Sequence, residues 1–171
     1  MRKAPALFAV VLSALFALPS VQAAGNVTVT VDDEDSLRIT GDDLANCIVI
    51  DGGGNSGEYS VAGCDSTTVN GDSGVSVDGV DNDFKISMGK GNDRVTLSDG
   101  DNNLVPDDLE ITTGPGDDTV TLTNFRIGDD LRVATGTGND TLTLDSVSAE
   151  DSVKIDMGSG TDVVCAGPCP S

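Results

Sequence analysis

Four times between Asp83 and Cys165 the chain runs through one phrase: an aspartate, a short stretch of alternating apolar and polar residues, Gly-x-Gly-x-Asp, and a second alternating stretch. The units begin at Asp83, Asp108, Asp130 and Asp151, so successive starts lie 25, 22 and 21 residues apart. A unit of this length cannot bury an apolar side alone. Copies at near-constant spacing therefore have to stack and share one continuous core.

Alternation of period two assigns the faces. Phe84, Ile86 and Met88 share one side of the first stretch, as do Leu109 and Ile111, Leu131 and Val133, and Val153, Ile155 and Met157. In the second stretch Val95 and Leu97, Val120 and Leu122, and Leu142 and Leu144 do the same. A shorter third alternation follows in the middle units, at Phe125 and Ile127 and at Val147 and Ala149. Three short strands per unit predict an all-β chain, a parallel β-solenoid that is right-handed by the crossover preference. The alternative is an antiparallel β meander in which each Gly-x-Gly-x-Asp is a hairpin turn. Residues 24–82 are less regular and are expected to form an N-terminal cap with worn coils, including an Asn70-Gly71 tight turn. Residues 83–171 make the repeats, closed by a C-terminal cap.

The N-terminus reads as an export leader. Arg2 and Lys3 precede an apolar run from Ala4 to Leu18, and Val21-Gln22-Ala23 places small residues for cleavage before Ala24. Removing residues 1–23 of 171 leaves 148 and takes the formal charge from −20 to −22. A surface this acidic disfavours nucleic acid and anionic membranes and attracts cations. No second apolar segment is long enough to span a bilayer. The expected location is secreted, extracellular or at the cell surface, with the periplasm as another oxidising compartment. There, four cysteines suggest two disulfides, and in an elongated stack local pairing is expected: Cys47 with Cys64, and Cys165 with Cys169.

Of 29 acidic residues only Glu34, Glu58, Glu110 and Glu150 are glutamates. Aspartate suits turns and short-reach metal sites. Stacking would set Asp93, Asp118, Asp140 and Asp162 in a column at a spacing of about 4.8 Å, and no column of lysine or arginine occupies a neighbouring turn position. A hard cation between coils would relieve the repulsion, and Ca²⁺ tolerates irregular oxygen shells. The candidate metal set is these four aspartates, their neighbours Asn92, Asp117 and Asn139, and Gly91, Gly116 and Gly138. Gly and Asp are also what any tight turn favours. A second column, Asp83, Asp108, Asp130 and Asp151, reads more simply as turn formers. The stretches Gly89 to Val95, Gly114 to Val120, Gly136 to Leu142 and Gly158 to Val164 resemble the Gly-Gly-x-Gly-x-Asp nonapeptide of haemolysin-type (RTX) calcium-binding repeats. The resemblance implies a secreted parallel β-roll whose glycine turns bind Ca²⁺ through these aspartates. It departs in the leading glycine, replaced by Met88, Thr113, Thr135 and Met157, and in a period near 22 residues instead of nine.

Outward positions of the second stretch carry threonine rows, Thr119, Thr121 and Thr123 beside Thr141 and Thr143. Such a flat face suits polysaccharide or ice. There is no histidine, nucleophile elbow or phosphate loop. A small calcium-dependent polysaccharide lyase using Lys85, Arg132 or Lys154 as base is a further alternative, on fold analogy alone. The leading expectation is a non-enzymatic calcium-binding solenoid, structural or adhesive, with extracellular polysaccharide or cell-surface components as partners and end-to-end self-association as another contact.

Overall fold

The computed structural model describes residues 25–52, 55–98 and 104–169; the expected leader, 1–23, lies outside them. The described residues contain strands and no helix, and so no helix long and apolar enough to cross a membrane.

The N-terminal region supplies β1 (Asn26–Val31), β2 (Leu37–Thr40), β3 (Cys47–Gly52), β4 (Tyr59–Gly63), β5 (Thr68–Val69) and β6 (Gly74–Val77). The repeats follow as β7 (Phe84–Ser87), β8 (Arg94–Ser98), β9 (Leu104–Val105), β10 (Leu109–Pro115), β11 (Thr119–Thr123), β12 (Arg126–Ile127), β13 (Leu131–Thr137), β14 (Thr141–Asp145), β15 (Ser148–Ala149), β16 (Val153–Asp156) and β17 (Val163–Ala166). Three sheets run along the stack, in the orders β16-β13-β10-β7-β2-β1-β5, β17-β14-β11-β8-β3-β4-β6 and β15-β12-β9. Every pairing between repeats is parallel, so the chain is a parallel β-solenoid and not a meander. Among the described residues antiparallel strand pairs are β1 with β2, β3 with β4, and β4 with β6, with an isolated antiparallel bridge between Val69 and Asp72.

Register places each apolar residue over its counterpart. Leu37, Phe84, Leu109, Leu131 and Val153 form one column, and Ile48, Val95, Val120, Leu142 and Val164 another. Most are fully buried, and burying a side chain of this size stabilises by roughly 1.5–3 kcal/mol. β2 and β3 already stand in register with β7 and β8, so Leu37 to Asp51 is a first coil in which Asp42-Asp43-Leu44-Ala45-Asn46 takes the place of the glycine turn.

The two ends differ. At the N-terminal end Val27, Val61, Val69, Val80 and Tyr59 are buried, and the Cys47–Cys64 disulfide ties β3 to the loop after β4. Asn70 and Gly71 both take positive φ, giving the expected tight turn. The Asn70 side chain then accepts from Val29 N–H at 2.9 Å and donates to Val29 C=O at 3.0 Å, standing in for a strand along β1. At the other end Val153, Ile155, Val163 and Val164 are 54, 36, 46 and 52% exposed. The Cys165–Cys169 bridge forms as expected, but its loop lies beside the sheet, with Cys169 Sγ 3.3 Å from Thr143 Oγ1, and leaves those four residues uncovered.

The paired glycines of each motif are a packing requirement. A Cβ on Gly138 would lie 1.8 Å from the Gly116 carbonyl oxygen, and one on Gly116 equally close to that of Gly91. Gly138→Ala is therefore expected to cost several kcal/mol and loosen the coils that follow. Gly71→Ala, where only positive φ is offended and the space is open, should cost about 1 kcal/mol. Thermal melts of the two variants followed by circular dichroism measure the difference, and equal losses would refute the packing account.

Candidate functional site

The motif turns carry two side-chain ladders of opposite direction. In the inner ladder each aspartate reaches back to the preceding coil: Asp93 Oδ1 accepts from Asn46 N–H at 2.7 Å, Asp118 from Asp93 N–H at 2.7 Å, Asp140 from Asp118 N–H at 2.9 Å, and Asp162 from Asp140 N–H at 3.0 Å. In the outer ladder each residue reaches forward: Asn92 accepts from Asp117 N–H at 3.0 Å, Asp117 from Asn139 N–H at 2.8 Å, and Asn139 from Thr161 N–H at 2.9 Å. The ten predicted metal residues thus share one corner but divide by role. Asp93, Asp118 and Asp140 are buried, Asp162 is half-buried, and Asn92 and Asn139 stand at the surface.

Each inner aspartate uses one oxygen. Oδ2 of Asp93, Asp118 and Asp140 is buried without a hydrogen-bond partner, an arrangement that costs free energy unless a donor or cation meets it. The first coil shows what the position asks for. Register makes Asn46 the counterpart of Asp93, and the Asn46 amide nitrogen donates to Leu44 C=O at 2.7 Å and to Asp42 and Met88 C=O at 3.3 Å each. The counterparts of those carbonyls around Asp93 belong to Gly91, Gly89 and Thr113. Where the first coil has an amide donor among carbonyls, the next three have a carboxylate oxygen.

The same crowding sets the protonation. Burial is the largest influence on Asp93 and, with the nearby Asp118 charge, outweighs the Asn46 N–H bond and pushes it up to about 7. Burial likewise raises Asp118, against the Thr113 hydroxyl and the Asp93 N–H, with Asp140 and Asp117 adding to the rise. The Thr113 hydroxyl gives its proton to Thr135 C=O at 2.9 Å.

At the opposite corner the column Asp83, Asp108, Asp130 and Asp151 is largely committed elsewhere. Asp108 and Asp130 accept from the next coil's backbone N–H at 3.0 Å each. Lys85 pairs with Asp83 at 2.6 Å, and Arg132 with Asp108 at 2.8 Å and with Asp130. The Ser152 hydroxyl, followed by its N–H and Arg132, lowers Asp130. Sequence reasoning missed the neighbours of this column. Asp107, Asp108 and Asp129, and again Asp129, Asp130 and Asp151, bring carboxylate oxygens within 4.8 Å of one another. Asp129 is raised by desolvation and then by Asp130, Asp107, Asp108 and Asp151. The Asp-Asp doublets at 107–108 and 129–130 were the available signal.

A carboxyl whose folded pKa lies above its unfolded value holds protons more tightly when folded. The stability it contributes is complete below about 4 and is lost as pH rises through the folded value. With divalent cations chelated, the melting temperature should therefore be higher at pH 5 than at pH 8, and Asp93→Asn should flatten part of that slope, because an amide already occupies this position in the first coil. A variant with the wild-type slope would remove Asp93 as the responsible group. Replacing Asp118 by alanine orphans the buried Asp93 N–H and is expected to cost about 1–3 kcal/mol, read by urea denaturation. Compared with known proteins, the chain matches no family model, no curated protein and no solved structure.

Proposed function

We propose that this chain is an exported, non-enzymatic β-solenoid, a structural or adhesive module of the extracellular space or cell surface, that takes up Ca²⁺ in its inner aspartate ladder. The observation that carries the reading is the set of three stacked, partnerless Oδ2 atoms. In this proposal Asp93, Asp118 and Asp140 supply these oxygens, Gly91, Gly116 and Gly138 add carbonyls, and the half-exposed Asp162 completes the column. The ladder of Asn92, Asp117 and Asn139 holds adjacent coils at the spacing the ion needs. Hard oxygen donors with no nitrogen or sulfur among them suit Ca²⁺ over transition metals. Two disulfides fit an oxidising compartment.

A second location for the ion is favoured by the convergent carboxylates of Asp107, Asp108, Asp129, Asp130 and Asp151, where Arg132 neutralises only part of the charge. The threonine face supports a polysaccharide reading less well. Arg94, paired with Asp65, bounds it on one side, and the Cys165–Cys169 loop lies against Thr143 at the other.

Calorimetric titration of Ca²⁺ into the chelator-treated protein, with melts in parallel, tests the proposal. Binding at a hundredfold excess over Kd should stabilise by about 2.7 kcal/mol per site. Asp118→Asn and Asp140→Asn should weaken it, Asp145→Asn on the sheet face should not, and Na⁺ at matched ionic strength should fail to substitute. Loss of binding in Asp129→Asn alone would move the ion to the other corner. No heat and no shift in melting temperature would leave the ladder a structural element and end the calcium reading.

A further inference from the structure

All three sheets terminate together at the C-terminal end of the stack, where β15, β16 and β17 each have one neighbour and one free edge. Four of the five large apolar residues exposed among the described residues, Val153, Ile155, Val163 and Val164, lie in this last coil. They continue core columns or the adjoining strand face. A free strand edge beside uncovered apolar side chains is an acceptor for another strand.

The sequence of β16 indicates which strand. We infer that this end docks a second copy of the chain, β16 against β16 in antiparallel pairing centred on Ile155, to give a closed twofold dimer. Residues directly opposite in an antiparallel pair point to the same face. Centring on Ile155 sets Ile155 against its own copy, Val153 against Met157, and Lys154 against Asp156, the last pair occurring twice by symmetry. Apolar residues meet on the core side and opposite charges meet outside. Registers centred on Lys154 or Asp156 would oppose two like charges, and one centred on Val153 would set Ile155 against Asp151. Within its own sheet Lys154 lies beside Arg132, a like charge, and it makes no ion pair among the described residues. Its carboxylate partner is supplied by the second copy.

The opposite end argues for closure over growth. There β6 also ends its sheet, but no large apolar residue of β1, β4, β5 or β6 is exposed, Val31, Val75 and Val77 being partly buried, and the Asn70 amide occupies the edge of β1. One adhesive end gives an isologous pair; a filament would need two complementary ends. This inference is independent of calcium, since none of the residues it uses belongs to the inner ladder.

Sedimentation velocity on the folded chain with both disulfides formed, from micromolar to millimolar protein, tests it at fixed Ca²⁺ and again with chelator. A monomer–dimer equilibrium with no larger species is expected. Lys154→Asp, which sets two aspartate pairs face to face, should raise the dimer dissociation constant about tenfold or more. The reciprocal double variant Lys154→Asp/Asp156→Lys should recover most of the loss. Circular dichroism of these variants should match the parent, because the positions lie at an exposed edge. A monomer at every concentration, open-ended polymers, or a dimer indifferent to Lys154→Asp would each overturn the inference.

Discussion

The coils of this molecule depend on one constraint: each residue is stacked on its own counterpart, roughly 4.8 Å away along the axis. A position in such a stack has to tolerate repetition. Leucine, isoleucine and valine do so without conflict, and they make the core columns. Glycine does so where a carbonyl must approach a Cα. A carboxylate does so poorly, because repetition multiplies its charge, and the inner aspartates are the position where the rule strains the chain most.

The strain has a structural return. An aspartate that caps the preceding coil and an asparagine or aspartate that caps the following one bind the first three motif turns in both directions. The turns are therefore held by side chains as well as by the sheet ladders on either side. The inner ladder is more than a turn device. One oxygen of each of its buried carboxylates serves the backbone, and the other stands without a hydrogen-bond partner.

Much of this was legible in the chain. The faces of β7, β10 and β13 followed from alternation alone, the Asn70-Gly71 turn from its residue types, and the disulfides from the separation of the cysteines in an extended stack. The even spacing of whole units favours parallel stacking over a meander, and the observed registers are parallel. Other features were not legible because they depend on direction, which spacing does not encode. That the inner ladder points back and the outer one forward is set by backbone conformation at the paired glycines. The clustering of Asp129 with Asp107 and Asp151 needed the corner geometry, since the repeat drew attention to the other member of each doublet. The bare last coil was hidden because the Cys165–Cys169 loop turns aside, and a pairing inferred from sequence says nothing about where its loop will lie.

Asn46 makes the first coil unlike those that follow. It fills the ladder position with a neutral amide whose nitrogen donates to three carbonyls, although its Oδ1, like the aspartate Oδ2 atoms above it, is buried without a hydrogen-bond partner. That coil is also the one stapled by Cys47–Cys64 and backed by Tyr59 against Phe84, ring centroids 4.7 Å apart. In a quasi-one-dimensional stack folding can start at any unit, and each unit is stabilised by its neighbours. Here the first coil brings no charge to the ladder position, and the next three each add a buried carboxylate. The electrostatic cost of stacking is therefore concentrated between Asp93 and Asp140 and spares the N-terminal coil.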